Sequence, residues 1–533
     1  MGRRQQSDRA FGHAAGRVKG AAFAAALATL AGTQPSRAAP DAAADPVARG
    51  AYLVTAGDCV ACHTAPGGAQ LAGGLPLRTP YGTIFTPNIT PDRETGIGTW
   101  TDADFYHALH DGIGRNGAYL YPAFPFPSFT HVTKDDVAAI RAYLMTQPAV
   151  HAPRKPNQLE FPYDVRSALG GWRVLYFRPG TFTPDPRLSA AENRGAYLVE
   201  GLGHCGACHT PRNMLGATEP TKTLSGAQVQ GWFAPNITSN VTYGIGGWTD
   251  DQLVTFLREG HAPGKGVVLG PMAEVVHDSL SHLDDGDLHA IAAYLKSTPP
   301  KGPETVSLPS DFAGADKPGA GAYLDHCAFC HGVDGAGVKG QIPALTGNGA
   351  VAAAGPEDMI RTVLGGHPAT GPYGPMPAVG ADLGDADIAA AINFARTAWQ
   401  NPAPPNASAG EVAKLRAETA APLTGEHPTC PQTAPRDVAA ALTGADGGVT
   451  GRLRDITPDH FAQEAADIAA RARQAAPKAA QADLVNALTD AYCRILRDRA
   501  DRPLAERRLS LQWFGQIIYG RIANADGMSI GLK

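Results

Sequence analysis

The sequence predicts an all-α chain made of three tandem, loop-rich helical modules and a small C-terminal helical domain. Three observations predict this. One block of sequence recurs three times with paired cysteines, each recurrence closes on apolar residues at helical spacing, and the chain turns Ala- and charge-rich after about residue 406. The length of 533 residues agrees, because at roughly 150 residues per domain it calls for three or four bodies. Charged residues are 18% against about 25% in an average chain. The net charge is −5 and no block of like charge stands out, so nothing here tracks a phosphate backbone and no nucleic-acid partner is expected. The 62 glycines and 44 prolines call for something besides regular packing to hold the loops.

Residues 1–38 read as a secretory signal peptide. Arg3, Arg4, Arg9, Arg17 and Lys19 precede the apolar stretch Ala21 to Gly32, and Ser36-Arg37-Ala38 offers a small-residue cleavage site. That stretch is too short for the ~20 residues that span a bilayer; an uncleaved interfacial anchor is the alternative. Export to the periplasm is the expectation.

Module one is placed at 45–150, a packed linker at 151–190, module two at 191–300 and module three at 315–400. Arg49-Gly50-Ala51-Tyr52-Leu53-Val54 returns as Arg194-Gly195-Ala196-Tyr197-Leu198-Val199, with a shorter echo at Gly321-Ala322-Tyr323-Leu324. The first two modules also share Pro87-Asn88-Ile89-Thr90 with Pro235-Asn236-Ile237-Thr238, and Gly96-Ile97-Gly98 with Gly244-Ile245-Gly246. They are duplicates and the third is a distant relative. A short helix should run into each cysteine pair. Capping boxes at Thr101 to Asp104 and Thr249 to Gln252 should open a middle helix, and a closing helix should carry a core aromatic at Tyr143, Tyr294 or Phe394. Pro-rich stretches mark the boundaries, and Trp172, Tyr176 and Phe177 make the first linker a packed one. In the tail, placed at 406–533, Asp459 to Ala475, Ala480 to Arg499 and Leu511 to Ile522 read as helices. The apolar stripe of the last is read as core, with attachment to a membrane or partner as the alternative.

Six of the eight cysteines fall in three copies of one pattern: Cys59-Val60-Ala61-Cys62-His63, Cys205-Gly206-Ala207-Cys208-His209 and Cys327-Ala328-Phe329-Cys330-His331. CxxCH is the attachment pattern for c-type haem, in which both thiols bond the porphyrin edge and the adjacent His supplies an axial nitrogen. Two intervening residues put the sulfurs about one helical turn apart. Structural zinc needs four ligands from paired knuckles, which three copies do not supply. Three covalently bound haem c groups are therefore expected, with His63, His209 and His331 as proximal ligands.

Met is the usual distal ligand in electron-transfer haems. Met272 in Gly270-Pro271-Met272 and Met376 in Gly374-Pro375-Met376-Pro377 stand in Pro-flanked loops before the closing helices and are assigned that role. The matching place in module one holds Phe124, which cannot ligate iron; Met145, His107, His110 and His131 are the remaining candidates there. Cys430 and Cys493 are left after the haem thiols are assigned. In an oxidising compartment they should form a disulfide, two free thiols being the alternative.

On the segments Asn88-Ile89-Thr90-Pro91-Asp92, Leu120 to Pro125, Gly195 to Asn213 and Gly270 to Val276, the chain resembles the three-haem cytochrome c subunit of bacterial membrane-bound periplasmic dehydrogenases acting on alcohol, gluconate, sorbitol, aldehyde or nicotinate. The resemblance covers roughly residues 45 to 400 and implies three tandem cytochrome c domains. It further implies a catalytic dehydrogenase subunit of quinone, flavin or molybdenum type as electron donor, ubiquinone or another acceptor, and peripheral attachment to the outer face of the cytoplasmic membrane. The chain would then be an electron-transfer subunit with no catalytic residues of its own. A stand-alone peroxidase-like enzyme using an open haem in module one is the competing reading, and a scaffold whose tail docks a partner a third.

Overall fold

The computed structural model describes residues 45–302, 317–419, 430–444, 448–456, 460–499 and 501–525; the signal-peptide segment lies outside them. Module one begins with the helix Pro46–Ala56, whose amides Val47 and Ala48 are capped by the Asp45 carboxylate, and turns at Gly57 and Asp58 into Cys59–His63. The middle helix Asp102–Asp111 opens on the expected capping box: Thr101 Oγ1 accepts from Asp104 N while Asp104 Oδ2 accepts from Thr101 N. Thr249 and Gln252 do the same for Asp250–Glu259 in module two. The closing helices are Lys134–Leu144, Asp285–Ser297 and Asp385–Thr397. In each module the first helix packs against the closing one.

The crossing explains a repeated glycine. A Cβ on Gly50 would lie 1.9 Å from Ala139 O, one on Gly195 would lie 1.9 Å from Ala290 O, and one on Gly319 would lie 2.1 Å from Ala390 O, so only a residue without a side chain lets the two backbones meet. In module three the contact glycine is thus Gly319, and Gly321, the glycine of the sequence echo, faces open space. The closing aromatics Tyr143 and Tyr294 pack over Gly50 and Gly195. Only Phe394 is fully core, ringed by Tyr323 and Trp399 at 5.0 and 5.5 Å.

Two local features depart from the expected pattern. Module two's first helix is α-helical over Ala190–Ala196 and continues as a π-helix over Tyr197–Leu202. The cause is one extra residue: Cys205 lies ten positions after Gly195, while Cys59 lies nine after Gly50. With the glycine fixed at its crossing and the cysteines fixed at their site, the insertion is absorbed as a widened turn. The chain is helix-rich, as the all-α expectation has it, with a few short strands beside the helices. The loops after the first two cysteine motifs carry short antiparallel hairpins, Pro76–Thr79 with Gly82–Phe85 and Ala227–Val229 with Trp232–Ala234. Gln158–Leu159 of the linker adds to the first, and His261–Ala262 pairs with Gly266–Val267. These strands are two to four residues long, too short to give the period-2 pattern by which strands are read.

Modules one and two join about an approximate two-fold arrangement of charges. Arg49 holds Asp136 with two bonds of 3.1 Å, and Tyr197 of the other module donates to Asp136 Oδ2 at 2.6 Å. In mirror fashion Arg194 holds Asp287 with two bonds of 2.7 Å, and Tyr52 donates to Asp287 Oδ2 at 2.6 Å. Both carboxylates are buried. Burial, then Asp136, push the Tyr197 hydroxyl up to about 12, so it stays a donor. Module three has Pro318 where the arginine would stand and turns Tyr323 inward to Gly332 O. It lacks the means to join such a pair.

The linker is packed on one side only. Phe177 is buried against Phe126, and the Arg173 guanidinium lies over Tyr119, Phe126 and Phe177, whereas Val174 and Leu175 are 70% and 65% exposed. In the tail, helices Phe461–Ala475, Gln481–Arg497 and Leu504–Ala525 pack together. Leu511, Phe514, Ile518 and Ile522 of the last one are buried, as the core reading of its stripe requires. Cys430 and Cys493 are bonded with their Cα atoms 5.7 Å apart. The bridge closes a loop worth a few kcal/mol to a small domain, and Asp490, one turn earlier on the same helix, accepts from Thr433 N and Ala434 N beside it. No helix among the described residues is long and apolar enough to cross a membrane.

Candidate haem-binding sites

Each CxxCH segment is a short helix that ends on its histidine, and the three histidines share one geometry. Nδ1 of His63 donates to Pro87 O at 2.8 Å, that of His209 to Pro235 O at 2.7 Å and that of His331 to Pro343 O at 3.1 Å. A carbonyl can only accept, so Nδ1 carries the proton and the Nε2 lone pair is left to a metal, the usual way a ligating imidazole is oriented. Burial lowers the pKa of all three rings and outweighs the proline carbonyls, so they stay neutral, the form that binds iron.

In modules one and two the repeated Pro-Asn-Ile-Thr blocks aim those carbonyls. Asn88 Oδ1 accepts from the Thr90 amide and hydroxyl, while its Nδ2 donates to Val150 O at 2.7 Å beyond the closing helix. Asn236 repeats this with Thr238 and with Lys301 O at 2.9 Å. Gly98 and Gly246 complete the turn, since a Cβ on either would fall 2.2 or 2.0 Å from the carbonyl of Pro91 or Ser239. The repeat was visible in the sequence; its role in fixing the imidazole was not, because the bonding atom is a proline carbonyl, which no side-chain pattern reports.

The thiols lie beside their histidines. Cys59 and Cys205 are each pushed up to about 12, first by burial and then by Asp58 in one case and Cys208 in the other, and burial and Cys330 bring Cys327 to about 11. Burial therefore favours the protonated thiol at all three positions. Cys62, raised to about 11 by partial burial, Asp58 and the neighbouring Cys208 thiol, marks where the first two motifs approach each other.

Met272 is the second residue of the helix Pro271–Asp278, which follows Gly270; a Cβ there would strike the Trp232 indole at 2.4 Å. That helix packs against Cys59–His63 of module one. Phe124 stands in the corresponding place: the helix Phe126–Phe129 just beyond it packs against Tyr197–Leu202 of module two. The Phe124 ring is 5.3 Å from Phe129. Met376 closes a small hairpin, with Met376 N donating to His367 O at 2.9 Å and His367 N to Met376 O at 2.8 Å. Met145 caps the closing helix of module one and packs on the core. His107 and His110 both turn Nδ1 to Asp111.

The family model for cytochrome c matches residues 47–148 and 317–399. Module two falls between those segments and repeats module one. The cytochrome c subunit of alcohol dehydrogenase (quinone) from Gluconacetobacter polyoxogenes is 40% identical over 432 residues, covering 76% of this chain and 92% of that protein. The chain belongs to the family of dehydrogenase cytochrome c subunits. The gluconate 2-dehydrogenase cytochrome c subunit of Pantoea cypripedii is 40% identical over 69% of this chain and 89% of its own length. A diheme cytochrome c-type protein of Cereibacter sphaeroides is 41% identical over 47% of this chain and 85% of its own length. As a cytochrome c family member this dehydrogenase cytochrome subunit carries covalently bound haem c.

Proposed function

We propose that this subunit holds three covalent haems and relays electrons from a catalytic dehydrogenase subunit, of quinone, flavin or molybdenum type, to ubiquinone or another membrane acceptor. One observation carries the reading: the CxxCH imidazole held by a proline carbonyl, made three times over in one chain. Relatives named as subunits of alcohol and gluconate dehydrogenases support a catalytic partner. Haem iron supplies reversible one-electron chemistry at a potential set by its axial ligands and burial. Cys59 and Cys62, Cys205 and Cys208, and Cys327 and Cys330 fix the porphyrins, and His63, His209 and His331 take the proximal position. Met272 and Met376 take the distal position in modules two and three, whereas Phe124 leaves module one without a thioether ligand. The chain acts exported, in the periplasm, at the outer face of the cytoplasmic membrane.

The relay reading is tested by mixing purified oxidised protein anaerobically with the dehydrogenase that co-purifies from membranes. Haem reduction should require both that protein and its substrate. Turnover of peroxide by this chain alone would instead favour the peroxidase-like reading.

A further inference from the structure

The Met376 hairpin is held by groups outside its own module. Asn486, in the tail helix Gln481–Arg497, grips one residue of the hairpin from both sides: its Oδ1 accepts from Ala369 N at 2.9 Å and its Nδ2 donates to Ala369 O at 3.0 Å. The Tyr519 hydroxyl, from the last helix, donates to Pro372 O, and Gln516 Nε2 donates to Pro375 O at 3.0 Å. Asn486 is buried. Burial pushes the Tyr519 hydroxyl up to about 12, which keeps it a donor. Module two also reaches the hairpin, where His367 Nε2 lies 3.1 Å from Val268 O. Gly371, at φ +56°, sits so close to the His261 ring that a Cβ would be 1.8 Å away. One more bond ties the hairpin to the segment that orients His331: Gly374 N donates to Gln341 O at 2.9 Å, two residues before the Pro343 carbonyl.

We propose that the C-terminal domain is a distal-ligand clamp, in which Asn486 and Tyr519 are positioning residues that hold Met376 against the iron of the third haem. The matched cytochrome c segments end at residue 399, so this support is added from beyond the electron-transfer module. The clamp rests on the assignment of Met376 as that ligand. A ligand loop without it would spend more time detached, because Met376 is flanked by prolines and its hairpin is joined to its own module by short backbone contacts, the His367 pair and the Gly374 bond to Gln341. The two bonds from Asn486 and the bond from Tyr519 oppose that detachment, and each buried bond lost should raise the detached fraction about fivefold to tenfold.

The test uses the full-length matured protein. Oxidised wild type, Met376→Ala, Asn486→Ala and Tyr519→Phe are titrated with imidazole, which binds the first haem in every variant and the others wherever a thioether leaves, while the thioether-to-iron absorption band and the potentials are followed. Met376→Ala should remove one of two contributions to that band; if it removes none, the ligand assignment fails and the clamp with it. Given that loss, Asn486→Ala, which gives up two bonds, should bind imidazole at one haem about 25-fold to 100-fold more tightly and lower that haem's potential, with Tyr519→Phe in the same direction and about fivefold to tenfold. The haem assigned to Met272 should be unchanged in both. Tyr519→Phe removes one hydroxyl and no packing, so it decides the matter even if Asn486→Ala loosens the tail helices. Met376→Ala losing its share while both clamp variants titrate and poise as wild type would overturn the proposal.

Discussion

Phe124→Met is expected to convert the first haem from a high-spin, five-coordinate or water-bound centre into a low-spin His/Met one. In the unaltered protein that haem should bind carbon monoxide or cyanide readily while the other two resist, because Phe124 offers no atom that can donate to iron. The helix after Phe124 packs on module two as the Met272 helix packs on module one, so a methionine placed there is presented as Met272 is. A thioether favours the reduced iron, and the potential of that haem should rise by on the order of 0.1 V, a fraction of the ~0.8 V that axial ligands command. Paramagnetic resonance of the oxidised protein checks the spin state and a spectroscopic redox titration checks the potential. Three low-spin signals in the unaltered protein, one of them lost on Met145→Ala, would show that Met145 already fills the position.

Asp136→Ala and Asp287→Ala should each cost about 2–4 kcal/mol, since each leaves a half-buried arginine and a cross-module tyrosine without their shared acceptor. Denaturant unfolding, read by the loss of haem absorption, measures this. The double variant should cost less than the sum, because the two networks brace one interface and neither acts alone once it has opened. Tyr52→Phe and Tyr197→Phe remove only one bond each and should cost about 1–2 kcal/mol. Asp387→Ala in module three should be close to neutral, as that carboxylate is exposed and Pro318 stands where its arginine would be.

What the sequence disclosed follows from the range of the interactions involved. CxxCH, the capping boxes at Thr101 and Thr249 and the closing helices are local in the chain, and local patterns can be read along it. The same locality made the tail helices readable, and the Cys430 to Cys493 bridge could be reached by elimination because only two cysteines remained. The cross-module bonds of Tyr52 and Tyr197 span 235 and 61 residues, and the grip of Asn486 on Ala369 spans 117. No periodicity encodes them. A signal was nonetheless present for the first pair. Arg and Tyr recur in the repeated first helices, and an Asp recurs at the start of both closing helices, so a charge shared between duplicates could have been suspected. The π-turn over Tyr197–Leu202 was also written in the spacing of Gly195 to Cys205, one residue longer than its counterpart.

One chain is expected to bind three haems through three equivalent attachment segments, and mass spectrometry of the denatured, purified protein counts them. Matured under conditions competent for haem attachment, the polypeptide should carry three haem additions. Cys59→Ala with Cys62→Ala, Cys205→Ala with Cys208→Ala, or Cys327→Ala with Cys330→Ala should each remove one and leave the other two. A chain carrying two haems or fewer, or one whose count is unchanged when any of these pairs is removed, would contradict it.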